Sequence, residues 1–93
     1  MPTASKEVII CNTLGLHARP AMQFVDIANQ FKSEIVVHKG GDEPADADGK
    51  SVMQMIILAA VEGTPMQIVA DGDDAEEAVK KLAELVTGKF GEE

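Results

Sequence analysis

Two rhythms of apolar and polar residues run along the chain, and between them they predict most of its elements. Glu7 to Cys11 is a short β-branched run closed by Asn12-Thr13-Leu14-Gly15, which reads as a strand and a loop. From Ala18 onward Ala21, Phe24, Val25, Ala28 and Phe31 recur every three or four residues, the spacing of one buried helix face. Met22, Asp26, Asn29 and Gln30 are left outward, and Pro20 suits the first turn, where a missing N–H does no harm. Glu34 to His38 predicts a second strand. Lys39 to Gly49 is rich in Gly, Asp and Pro and predicts a loop, with room for one short strand near Ala45 to Ala47.

Ser51 is placed to cap an apolar segment, Val52 to Val61. The segment reads as a helix, although periodicity alone does not separate a buried helix of this length from a strand. On the helical reading Met55, Leu58 and Ala59 supply the buried side, leaving Val52, Met53 and Ile56 toward solvent. Glu62-Gly63-Thr64-Pro65 breaks the helix, and Met66 to Ala70 alternates as a strand. A last helix is capped by Asp73 or Asp74, buries Ala75, Val79, Leu82, Ala83 and Val86, and stops at Gly88. The order predicts an α+β fold with helices covering one face of a small, mostly antiparallel sheet.

Composition narrows the partners rather than the fold. Ninety-three residues fit a single domain, 1–93, with one core, and three Phe with no Trp or Tyr make that core mainly aliphatic. A net charge of -8 disfavours nucleic acid and anionic membrane surfaces. Much of the acid lies in Asp42 to Asp48 and Asp71 to Glu77, which read as solvated stretches. Cys11 is the only cysteine, so no intrachain disulfide forms. Met1 to Asn12 lacks the apolar stretch of a secretion signal, and Val52 to Val61 is too short to span a bilayer. A cytoplasmic location without membrane insertion is expected.

Candidate chemistry concentrates in Gly15-Leu16-His17-Ala18-Arg19-Pro20-Ala21. A neutral imidazole can accept a phosphoryl group and release it again. A helix start offers unpaired amides and a positive dipole end beside that ring, and Arg19 adds a planar guanidinium for phosphate oxygens. Gly15 lets the backbone bend so that the ring faces those donors. Gly49-Lys50-Ser51 ends like a phosphate-binding P-loop, but Pro44 stands where its first glycine belongs, and no nucleotide site is expected. His38, Cys11 and the acidic loop lack metal-ligand spacing, and His38 reads as a solvent-facing strand residue.

The seven-residue segment resembles the active-site signature of the HPr family, the histidine-containing phosphocarriers of the bacterial phosphoenolpyruvate:sugar phosphotransferase system. Gly49-Lys50-Ser51-Val52-Met53 resembles that family's regulatory serine region, and the resemblance runs from about Glu7 to Leu85. It implies an open-faced sandwich: a four-stranded antiparallel sheet covered on one side by three helices. It implies that His17 takes a phosphoryl group on Nδ1 from Enzyme I and passes it to an Enzyme IIA component. Arg19 matches the arginine that contacts the phosphoryl group, and the amides of Ala18 and Arg19 would help hold it. Ser51 matches the serine that an HPr kinase/phosphorylase modifies in some bacteria, beside its local role as a cap. Met22, Val52, Met53 and Ile56 would form the surface that partners grip. No metal or organic cofactor is implied, and a monomer is expected.

Three departures from the family pattern bear on partners. The Lys39 to Asp48 loop is about three residues longer than usual, a small change in a surface connection. Asp26 and Asn29 stand where many relatives carry lysines that meet an acidic Enzyme I surface, and Gln54 replaces a small residue. Two rival readings are a regulatory module signalling through Ser51 alone and an α+β domain whose histidine motif is coincidental.

Overall fold

The computed structural model describes residues 2–92. Four strands and three helices follow the order β1 (Thr3–Ile9), α1 (Ala18–Ala28), β2 (Glu34–Lys39), β3 (Ala45–Asp48), α2 (Val52–Leu58), β4 (Pro65–Asp71) and α3 (Ala75–Thr87). The strands form one antiparallel sheet in the order β1-β4-β2-β3. Alternation decides which face is covered. Ile35 and Val37 on β2, and Met66, Ile68 and Ala70 on β4, are buried, whereas Val36, Gln67 and Val69 point to the open face. The helices supply the other half of the core through Ala21, Phe24 and Val25, through Met55 and Leu58, and through a stripe from Ala75 to Val86. The α+β open-faced arrangement is as expected.

Boundaries shift where tertiary pairing overrides local pattern. β1 runs earlier than Glu7 to Cys11, because its polar first half pairs with β4, from Thr3 opposite Asp71 to Ile9 opposite Pro65. The short strand forms at Ala45–Asp48, an edge strand of which only Ala47 is buried. His38 faces out, as predicted, and its Nδ1 lies 2.6 Å from Asp46, its cross-strand neighbour.

α2 ends at Leu58, not Val61. Ala59 adopts a left-handed conformation (φ 55°), and the Lys39 ammonium donates to the Leu58 carbonyl at 2.9 Å. That turn exposes Ala59, which was expected on the buried side, and buries Ala60 in its place. α3 stops at Gly88 as expected and has one correction, at its start. Asp74 sits at its N-cap, yet its carboxylate makes no bond to that helix and instead accepts from the Lys32 and Ser33 amides and the Ser33 hydroxyl. Those hydrogen bonds, the Ser33 hydroxyl foremost, hold its carboxyl below the ordinary range against the opposing effect of burial. Gly88 ends the helix without turning left-handed; positive φ falls instead on Lys89 (60°), Phe90 (55°) and Gly91 (76°). Left-handed backbone costs a non-glycine residue about 1–2 kcal/mol. Burying Phe90 to 3% exposure offsets this, and anchors the turn that follows α3.

Candidate functional site

His17 is the N-cap residue of α1, extended at φ -84° and ψ -170°, and its ring does not cap its own helix. The first helical bond runs from the Ala21 amide to the His17 carbonyl at 3.0 Å. Pro20 has no N–H, so the spare donors of this helix start are the amides of Ala18 and Arg19, which have no backbone acceptor among the described residues. The Arg19 side chain is exposed beside them. Such a helix start offers donors suited to an anion, with an imidazole at its rim.

Gly15 fixes where the rim lies. It has φ +71°, and a Cβ there would stand 2.6 Å from the Ala60 carbonyl oxygen and 2.9 Å from Val61 Cα. The next amide, Leu16, donates to the Ala60 carbonyl at 2.8 Å. The loop before α1 is thus pinned against the loop after α2. Leu16 itself is buried, which anchors the residue preceding the histidine in the core.

The ring is held from the far end of the chain. His17 Nε2 lies 3.0 Å and 3.2 Å from the two carboxylate oxygens of Glu92. Side-chain exposure is 37% for His17 and 14% for Glu92, so the contact is only partly open to water. Asn12, fully buried, donates through Nδ2 to the Gly15 carbonyl at 2.7 Å and to Glu92 Oε1 at 3.0 Å. Burial raises the Glu92 carboxyl. The hydrogen bonds from His17 and Asn12, together with the charges of His17 and Arg19, outweigh it, and the group titrates below its ordinary range. An ionised carboxylate only accepts hydrogen bonds, so the nitrogen facing it carries the proton. Nδ1 has no hydrogen-bond partner among the described residues.

Among the residues named from the sequence, His17, Ala18 and Arg19 come together at one helix start. Ser51 stands apart, at the opening of α2, where its hydroxyl accepts from the Gln54 amide at 3.2 Å. Seven residues of helix, about 10 Å, separate it from the end of α2 that leads to Ala60. Gln54, an unexpected residue at that position, has a structural use: its side-chain oxygen accepts from the Asp48 amide at 2.8 Å. Of the expected outward residues, Met22, Met53 and Ile56 are exposed, but Val52 is partly buried against the core. Ile57 (71% exposed), Leu14 and Val61 complete the apolar surface on the helices and loops flanking His17. A groove of about 740 Å³ between β1 and α3 is lined by Ser5, Glu7, Lys80 and Glu84 and lacks His17.

Glu92 and Asn12 escaped the sequence reading. Asn12 looks like any loop residue. The available signal was Phe90, a lone aromatic beyond the predicted helix stop, where an apolar residue of that size signals a return to the core.

No helix among the described residues is long and apolar enough to cross a membrane, and no group of three or more His, Cys, Asp or Glu among them could hold a metal ion. Residues 4–88 match the family model described as the PTS HPr component phosphorylation site. A phosphocarrier protein HPr of Neisseria meningitidis is 42% identical over 87 residues, 94% of this chain and 94% of that one. One from Haemophilus influenzae is 45% identical over 82 residues, covering 88% and 93% respectively. The crystal structure of an HPr from Thermoanaerobacter tengcongensis superposes with a TM-score of 0.86 at 41% identity, covering 97% of this chain and 98% of that one. With the signature segment at an open helix mouth and these relatives end to end, the chain belongs to the HPr family and is a phosphocarrier of the phosphotransferase system.

Proposed function

We propose that His17 Nδ1 is the atom that carries the phosphoryl group, received from Enzyme I and delivered to an Enzyme IIA-type acceptor. One observation carries this reading: a histidine whose Nε2 is engaged, and whose Nδ1 has no partner among the described residues, stands at a helix start with two amides that no described backbone group accepts. In transfer, the Nδ1 lone pair forms a bond to phosphorus as the donor's nitrogen–phosphorus bond breaks and the donor ring recovers its electron pair. The Ala18 and Arg19 amides and the Arg19 guanidinium balance charge on the phosphoryl oxygens. A carrier must release what it binds, and neutral donors with one exposed guanidinium hold a phosphate without trapping it.

The exposed Met22, Met53 and Ile56, joined by Ile57, Leu14 and Val61, serve as the docking surface; adaptable apolar side chains suit one protein that meets several partners. Val52 contributes from below, through packing. The carrier works as a cytoplasmic monomer, with this surface left free for docking. Ser51 is the site for an HPr kinase/phosphorylase. A phosphate there would sit at the positive end of α2 and add negative charge to the docking face.

Incubation with phosphoenolpyruvate and the host's Enzyme I tests the reading by mass. The expected result is one added phosphate, labile in acid and stable in base, absent from His17→Ala. An unmodified native chain overturns it.

A further inference from the structure

The C-terminal end of α3 lies against the loop before His17, where Cys11 Sγ meets the Val86 carbonyl, and the segment after it turns in to reach the ring, a contact that the carrier role described above does not itself call for. Lys89 and Phe90 take up left-handed backbone, and Phe90 is buried as an anchor two residues before Glu92. Glu92 then meets His17 Nε2 through both carboxylate oxygens, and Asn12, buried beneath, donates to one of them while its other donated bond goes to the Gly15 carbonyl. Asn12 thereby fixes the carboxylate and the loop that positions the histidine to each other. Residues 75 and 80 positions apart in sequence are joined in a single chain of hydrogen bonds.

Resting on the carrier reading, we propose that Glu92 is a positioning residue for phosphoryl transfer: it confines His17 to the tautomer protonated on Nε2 and stops the ring from turning, so that Nδ1 always presents its lone pair. A carboxylate orienting an imidazole through its far nitrogen is the arrangement that fixes tautomers in catalytic triads and at metal-bound histidines.

The geometry has a consequence for the chemistry. When Nδ1 bonds to phosphorus the ring becomes an imidazolium, and its proton remains on Nε2. No proton moves in either direction of transfer. The positive charge that develops on the ring faces the Glu92 carboxylate, while the phosphoryl oxygens are balanced on the other side by Arg19 and the helix amides. Opposite ends of the same ring are matched to opposite charges.

Ring nitrogen NMR on ¹⁵N-histidine-labelled protein reads the lock directly, at about pH 8.5, well above the ordinary histidine value of about 6.5. Native protein should show a wide separation between a protonated Nε2 and an unprotonated Nδ1. In Glu92→Ala the separation should narrow as the second tautomer becomes populated. The initial rate of phosphoryl uptake from phospho-Enzyme I should fall about tenfold, the lower end of what losing a ring-orienting partner costs. Amide spectra of that variant, altered only near His17, establish that it folds. Phe90→Ala keeps the carboxylate but frees its anchor, and should move both readouts in the same direction. Ring spectra unchanged in Glu92→Ala overturn the proposal, as does an unchanged uptake rate. A native chain that takes up no phosphate while its ring spectra respond as stated overturns the carrier reading instead.

Discussion

Two helix starts in this molecule carry the same unmet donors and use them in opposite ways. At α2 the chain meets its own need: the Ser51 hydroxyl accepts from Gln54, and the preceding turn is knit by bonds from the Lys50 amide to the Asp48 side chain and from Ser51 to the Asp48 carbonyl. At α1 it does not. The N-cap is a histidine whose ring is drawn away to Glu92, Pro20 removes one donor from the turn, and the amides of Ala18 and Arg19 are left over. A capped start contributes stability, and an open one gives up some stability to keep an anion site ready. The start of α3 lies between: Asp74 has the position of a cap but braces the loop entering β2.

This contrast breaks most visibly at Gly15. Gly15→Ala demands a left-handed alanine whose methyl collides with the backbone of Ala60 and Val61. A loss of about 2–3 kcal/mol is expected, read by urea unfolding, with slowed phosphoryl uptake as the open mouth of α1 is displaced. Wild-type stability in that variant would mean the two loops are not pinned as described.

Asp74 gives the next effect. Its carboxyl titrates below its ordinary value, so the native state holds it ionised more readily than the unfolded chain does. The stability it lends is complete above the unfolded value, near 3.8, and disappears as pH falls through the lowered folded value. Asp74→Asn should therefore melt below the native protein at neutral pH, and the gap in Tm should close in acid beneath about pH 4. A gap independent of pH would assign the loss to packing rather than to the charged acceptor.

The smallest effect sharpens the comparison itself. Ser51→Ala removes the α2 cap and should cost about 1 kcal/mol, whereas Ser51→Asp retains an acceptor and should recover most of it. Ser51→Ala should leave phosphoryl uptake by His17 unchanged, because the helix mouth of α1 is separate from the α2 cap, and Ser51→Asp should slow it by adding charge to the docking face. A slower transfer in Ser51→Asp than in Ser51→Ala would separate electrostatic obstruction from loss of the cap.

Much of this was legible in advance because it is local. The α1 stripe from Ala21 to Phe31 and the α3 stripe from Ala75 to Val86 bury as their spacing requires, and the β2 and β4 alternation sorts the two sheet faces. The Ser51 cap was visible too, since donor and acceptor lie three residues apart. Local pattern failed where a distant group supplied the missing partner. Lys39 stabilises the end of α2 and shortens it, β4 recruits the polar half of β1, and Asp74 serves the residues before β2. Ala59 was misassigned because the left-handed turn there takes it off the helical periodicity, and Val52, at the other end of the helix, packs partly against the core where spacing alone had left it outward.

The sequence by itself determined an α+β fold, a histidine at the head of a helix, an arginine beside it and a serine able to cap its neighbour. Those are matters of spacing within a few residues, where side chains and backbone meet whatever the rest of the chain does. Only the tertiary structure decided which nitrogen of His17 is left free. That choice depends on Glu92 and Asn12, brought to the ring by the buried Phe90 and the shared loop at Gly15, and a contact across most of the chain is set by how the core closes.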